Sequence, residues 1–377
     1  VWAFAYFVQT DVRRRPIFAS KTIGEVFTSR DNRLTLIRIA LATAVLIEHA
    51  IIVTQGPEFP PPLAINGWSL SYAAVNAFFI LSGFLIADSL ERRRDPFEFA
   101  VARALRLLPA LIALSIAAIL IVGPAVTDLG WREYWASTQT WFYPINVLGF
   151  LDTSQGPAGI FSDNPWAGEF SAPLWTLRYE VIAYVGAALL FFSPWPWGRL
   201  GHLGIFVLTV TGHVLISVYW PEAPALVQSA ARLSAAFTLG MVVHGWRHRI
   251  PVLPYPVFVA LPLWLVLGSS PLAEVFMNLA IGSVMFAIGF FGLGRWPTGA
   301  DIPDWSYGIY IWHYPVMQIV LFADPAADPV KIGMVAVPVT LAVSALSWTF
   351  VERPSLSLKP KCGDMLRAAF RGRNFKL

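Results

Sequence analysis

Stretches of apolar residues long enough to cross a lipid bilayer recur along almost the whole chain, with little polar sequence between them. They fall at about 34–53, 70–87, 107–122, 174–192, 203–220, 226–243, 252–267, 275–293, 307–323 and 332–351. Crossing about 30 Å of hydrocarbon takes roughly 20 residues, and backbone in lipid must satisfy its own hydrogen bonds, so such segments are read as helices. Of 377 residues 56% are hydrophobic and only 13% charged, whereas soluble domains carry about 25% charged residues. The expectation is an all-α, polytopic membrane helix bundle of about ten transmembrane helices.

The formal charge of +4 could point to nucleic acid, but the arginines lie in short clusters beside apolar runs, without a nucleic-acid motif. Their distribution tests the segment count instead, because cytoplasmic connections collect Lys and Arg. Residues Arg13 to Lys21, Arg92-Arg93-Arg94, Arg199, Arg247, Arg249, Arg295 and the stretch from Arg353 to Lys376 fall on one side, with Arg132 and Lys331 as exceptions on the other. An even count with both termini cytoplasmic satisfies this alternation. The charge of Arg13-Arg14-Arg15 follows a brief apolar stretch, the reverse of a secretory leader, so insertion is expected to depend on the first spanning segment. Cys362, the sole cysteine, is read as an incidental cytoplasmic thiol.

Residues 1–33 are thus expected to be a cytoplasmic segment, 34–351 a single membrane domain and 352–377 a basic cytoplasmic tail. Within the domain, 127–172 is a long extracytoplasmic loop rich in Trp, Gly, Pro and Asp that could act as a lid. Its apolar part, 141–151, is too short to span and suits an interfacial or re-entrant piece.

Ionisable residues inside apolar segments are the first functional candidates. Arg38 and His49 lie 11 positions apart, about 20° around a helix axis and about 16 Å along it, so they share one face at two depths. Arg38 can snorkel to the inner headgroups and His49 can be a satisfied buried histidine; a functional pair is the other reading. Glu48 points about 100° from His49 and needs a partner from another helix, or water. Arg103 and Arg106, three apart, project from one face and could grip phosphates by forked hydrogen bonds, though a positive-inside bias also accounts for them. Glu180 and Tyr184 lie one turn apart, whereas Trp175 and Tyr179 suit an aromatic belt. Tyr307, Tyr310 and His313 form an aromatic run ending at Pro315, which is expected to bend its helix. No metal-ligand pattern, phosphate loop or nucleophile elbow is present, so no metal or permanently bound cofactor is expected.

Taken in order, these motifs resemble the membrane acyltransferase family 3, bacterial O-acyltransferases of lipopolysaccharide, exopolysaccharide and related acceptors. Arg38-x10-His49 is similar to its first-helix arginine and histidine, and Asn76-Ala-Phe-Phe-Ile-Leu-Ser-Gly-Phe-Leu-Ile86 to its FFxLSGF signature, which contains Ser82. Arg103-x-x-Arg106 with Pro109 resembles R-x-x-R-x-x-P, Leu174-Trp-Thr-Leu-Arg-Tyr-Glu180 resembles W-S/T-L-x-x-E, and Ser306-Tyr307-Gly308 through His313-Tyr314-Pro315 resembles SYgiYLwHyP. Glu352-Arg-Pro354 matches the closing E-x-P. The chain departs from the family at Thr35 and Asn76, where acidic residues are frequent, and at Glu48.

The resemblance implies transfer of an acyl group, acetyl being the expected one, from cytoplasmic acyl-CoA as co-substrate to a hydroxyl of an envelope or exported carbohydrate, at the inner membrane. His49, with Glu180 and Arg38, is the expected catalytic set; Arg103, Arg106 and Arg38 are expected to hold acyl-CoA. Trp175, Tyr184, Tyr307, Tyr310, His313, Glu48 and Ser82 are candidates for substrate or structural roles. A histidine titrates near neutral pH and a thioester is already activated, so a base and positioning suffice. The rival reading is a proton- or anion-coupled transporter in which the same ionisable residues line a path without covalent chemistry.

Overall fold

A computed structural model describes residues 21–27, 32–60, 62, 64–291, 298 and 302–371. The Arg13-Arg14-Arg15 cluster, Arg295 and Lys376 lie outside them. Among the described residues every regular element is helical. After one turn at Ile23–Val26, the helices are α1 Leu34–Gln55, α2 Leu70–Arg93, α3 Pro96–Val126, α4 Trp131–Ala136, α5 Thr138–Leu148, α6 Ala172–Phe192, α7 Arg199–Tyr219, α8 Ala225–Trp246, α9 Val257–Leu267, α10 Pro271–Phe290, α11 Ser306–Ala323, α12 Pro329–Ser357 and α13 Lys359–Arg371.

Several starts follow from local chemistry. Ser69 accepts the Tyr72 N–H at α2, Asp95 the Glu98 N–H at α3, Ser270 the Leu272 N–H at α10 and Asp328 the Lys331 N–H at α12. The last three caps precede a proline, which has no N–H to leave unpaired in the first turn. The α2 end is marked by Arg94 in the left-handed conformation, φ 51°.

Eight of the described helices, α1, α2, α3, α6, α7, α8, α10 and α12, are long and apolar enough to cross a membrane. The two remaining expected spans differ for separate reasons. Prolines 251, 254 and 256 keep the start of the seventh segment, 252–267, out of a helix, leaving α9 with 11 residues, about 16 Å of helix. The chain nevertheless traverses the bundle here. At one end Gly24 donates to the Arg247 carbonyl; at the other Tyr72, in the first turn of α2, donates to Glu274 in the first turn of α10. Helix α11 has 18 residues, runs through Pro315 without interruption and is buried along nearly its whole length, so it is the bundle's central helix and tolerates His313 and Gln318.

In lipid, helices associate through packing of small residues, because the tails compete equally well for apolar surface. Helices α2 and α8 lie side by side in this way. A Cβ on Gly83 would sit 1.8 Å from the Phe237 carbonyl oxygen, and one on Gly240 would sit 1.9 Å from that of Ile80. These two backbones touch, which presents the polar face of α2 to α3, α6 and α11.

The loop at 127–172 is folded. Helix α5 exposes Trp141, Phe142 and Ile145 on one side and buries Tyr143 and Val147 on the other, the pattern of an interfacial helix. The turns after it are tied to the ends of α1 and α11: Trp166 donates to the Ile52 carbonyl, Asn164 to the Gln318 carbonyl, and Gln318 to the Trp166 and Glu169 carbonyls.

Candidate functional site

A cavity of about 360 Å³ opens between α2, α3, α6, α11 and α12. Its lining on α2 extends from Val75 to Arg93, about 27 Å at 1.5 Å per residue. One end is cationic, with Arg92, Arg93, Arg103 and Lys359. The other is lined by Val75, Phe78, Thr176 and Tyr310. Between them lie Arg38, Ser82, Arg106, Glu180, Tyr184, Asp304 and Tyr307.

Arg103 and Arg106 share a helix face, as their spacing requires, but differ in partners. Arg106 donates to Asp304 at 2.8 Å and to Glu352 at 3.3 Å, and its guanidinium lies 5.5 Å from the Tyr307 ring centroid. Asp304 also takes Arg38 at 2.6 Å and the Ser306 hydroxyl at 2.5 Å. Although burial alone would push the Asp304 carboxyl up, Arg38 and Arg106 bring it down to about 2, so it stays ionised at any physiological pH. Glu352 sits in a five-residue π turn, Trp348–Glu352, which re-aims it inward; its other oxygen accepts from Ser347 at 3.2 Å. Arg38, Arg106, Asp304 and Glu352 therefore form a cluster of two guanidinium and two carboxyl groups paired with one another. Arg103 is different: its Nε is buried without an acceptor among the described residues, and it rests near the Phe99 and Tyr184 rings at 5.9 and 5.8 Å.

Deeper in, Tyr184 donates to Glu180 one turn away. The Tyr307 hydroxyl donates to the Leu107 carbonyl at 3.0 Å, and Tyr310 donates to the Pro173 carbonyl while Thr176 shares a hydrogen bond with it.

His49 and His313 do not line this cavity. They face each other behind Tyr310, whose ring centroid is 6.2 Å from that of His313. His49 Nδ1 is 2.9 Å from the Val45 carbonyl and His313 Nδ1 is 3.0 Å from that of Ile309. A carbonyl only accepts, so in both neutral rings the proton is on Nδ1. His313 Nε2 then presents its lone pair to His49 Nδ1 at 3.4 Å, and His49 Nε2 is left as an unprotonated base. On the other side of the pair, Tyr314 packs edge-on to His49 at 5.8 Å and donates to Glu169 of the 127–172 loop at 2.9 Å. Burial pushes the Glu169 carboxyl up against the opposing effect of that hydrogen bond.

Two candidates point elsewhere. Trp175 is exposed on the bundle surface against Tyr179, as an aromatic-belt residue would be. Glu48 turns to α2, where its Oε2 accepts the Ser71 N–H; a carboxylate at a helix N-terminus also meets the positive end of the dipole.

Asp304, Lys359 and Glu169 were not legible as site residues. Asp304 lies two positions before the aromatic run and Lys359 looks like one more tail cation. A second polar cluster lies outside the sequence candidates: Arg232 donates to Asn76 at 2.6 Å, Asn76 to Glu274 and Asn278, and Tyr72 to Glu274. Glu274 thus brings a carboxylate to the place where Asn76 lacks one. An arginine within 226–243 was the available signal.

A multi-pass membrane protein with a deep, partly charged cavity reaching towards a histidine pair is suited to act on a bound anionic substrate. Residues 31–350 match the family model described as acyltransferase domain, and the chain belongs to the membrane acyltransferase family 3. It is an acyltransferase. It is similar to nodulation protein 10 of Rhizobium leguminosarum bv. viciae, at 27% identity over 87% of this chain and 94% of that protein. The O-acetyl transferase of Shigella phage Sf6 is 24% identical over 87% of this chain and 97% of its own length. The exopolysaccharide production protein ExoZ of Rhizobium meliloti (strain 1021) is 27% identical over 77% and 90%. No solved structure matches the chain.

Proposed function

We propose that this enzyme transfers an acetyl group from cytoplasmic acetyl-CoA to a hydroxyl of an envelope or exported polysaccharide, in the inner membrane. The observation that carries the reading is the cavity itself, which joins a cationic mouth to the Thr176–Tyr310 end beside His313. Arg92, Arg93, Arg199 and Arg247 gather at the mouth's end of the bundle, the pattern of a cytoplasmic face. Relatives named O-acetyl transferase and exopolysaccharide production protein support the acyl group and the acceptor class.

Arg103 binds donor phosphate, the pantetheine arm follows α2 past Ser82, and the thioester reaches Tyr310. The acceptor enters from the side of the 127–172 loop, which offers Glu169 and Tyr314. Tyr310 must swing from the Pro173 carbonyl to join the two approaches. His49 Nε2 then takes the acceptor's hydroxyl proton, the oxygen attacks the thioester carbonyl, and the C–S bond breaks to release CoA thiolate, which is protonated in turn. His313, holding His49 through Nδ1, is a positioning residue. The same geometry allows His49 Nε2 to carry the acetyl group transiently.

Purified protein in proteoliposomes should release free CoA thiol from acetyl-CoA only when an acceptor glycan is present, with label from the acetyl group appearing on the glycan. Proton-coupled flux without thiol release would refute this reading and favour transport.

A further inference from the structure

The family match ends at residue 350, yet the chain beyond it is built into the cavity wall. After the π turn, α13 lies along the first turns of α3, where a Cβ on Gly363 would be 3.6 Å from Glu98 Cγ. This path brings Lys359 into the mouth beside Arg93 and Arg103.

Among the described residues, the mouth holds more positive charge than the carboxylates paired with it neutralise. Arg92 is paired with Asp88 at 2.6 Å, and Arg93 donates to the Ser89 hydroxyl at 2.5 Å. Among the described residues no carboxylate pairs with Arg93, Arg103 or Lys359, and the nearby Asp304 and Glu352 are already held by Arg38 and Arg106. Burial, with the positive charge of Arg103, Arg93 and Arg106, pushes the Lys359 ammonium down to about 8. Cations held together with less counter-charge than they carry are stabilised by a multivalent anion, and guanidinium and ammonium donors suit phosphate oxygens.

We propose that Lys359 completes a polyphosphate-binding mouth with Arg93 and Arg103, so that the segment after the last span recognises the nucleotide end of the donor. The inference rests on acyl-CoA being the donor. Its chemistry separates the nucleotide from the acyl group: Lys359 acts on affinity for a phosphate-bearing donor and not on the transfer step.

The test measures acetyl-CoA binding and turnover by purified wild type, Lys359→Ala and Lys359→Arg, with S-acetylpantetheine as a donor lacking phosphates. Losing a charge-assisted hydrogen bond predicts about tenfold weaker acetyl-CoA binding for Lys359→Ala, an unchanged kcat at saturation, recovery in Lys359→Arg and wild-type turnover of S-acetylpantetheine. Lys359→Gln gives the same comparison should the alanine variant fold poorly. Unchanged acetyl-CoA affinity in Lys359→Ala, or an equal loss with S-acetylpantetheine, would overturn the proposal while the donor assignment stands. Failure of the wild type to bind acetyl-CoA would instead overturn the donor assignment, and this inference with it.

Discussion

Replacing His49 by alanine is expected to lower acetyl transfer by at least about 100-fold, the range of a lost general base, while acetyl-CoA still binds with wild-type affinity. The split follows from position. His49 stands behind Tyr310 and lines none of the cavity, so removing its ring takes no contact from a bound donor. It does remove the one unprotonated nitrogen that the Val45 and His313 contacts leave open on that ring. His313→Ala should weaken transfer less, because it frees the His49 ring without removing the proposed base, and it should shift the pH profile of kcat. Steady-state kinetics with equilibrium binding on both variants checks this. Equal loss of binding and transfer in His49→Ala would show that the donor reaches His49 directly.

The second large effect separates the two arginines that sequence spacing treats as equivalent. Arg106→Ala leaves Asp304 without one of its two guanidinium partners and Glu352 without any, and Glu352 is only 1% exposed. Breaking a buried ion pair by removing one partner costs about 3–5 kcal/mol, so the protein should melt far lower in detergent or fail to accumulate. Arg103→Ala has no such debt, since Arg103 pairs with no carboxylate among the described residues. It should keep the wild-type melting temperature and lose about tenfold or more in acetyl-CoA affinity, the worth of a charge-assisted hydrogen bond. Thermal melts alongside binding isotherms distinguish the two outcomes, and identical behaviour of the variants would contradict this division of roles.

The membrane bundle was legible because apolar length is a property of single segments. What apolar length does not carry is how much of 252–267 is helical, because hydropathy alone does not separate a helix from a proline-broken apolar stretch. The common face of Arg38 and His49 follows from helical period, and the structure uses both residues, against Asp304 just before α11 and against His313 within it. What the period does not carry is the identity of the partner on the next helix. Arg38 reads equally as a snorkelling cation or a donor ligand until Asp304 is seen to share it with Arg106. Lys359 is indistinguishable from the tail's other cations until α13 folds back on α3. Glu169 has no periodic context at all, being fixed by loop turns tied to Gln318 and Ile52. The cavity lined by Arg103 does not include His49; Tyr310, at its deep end, lies against His313, and its hydrogen bonds to Pro173 and Thr176 depend on a junction no local pattern encodes.

The account turns on one path, from a cationic mouth to the histidine pair, and a cryo-EM structure of the protein with acetyl-CoA tests it directly. The predicted result places the phosphates against Arg103 and Lys359, the pantetheine along α2 by Ser82, and the thioester at Thr176 and Tyr310 within one side-chain rotation of His49. A donor seated outside this cavity, or bound within it with its acetyl end towards the mouth, would contradict the account.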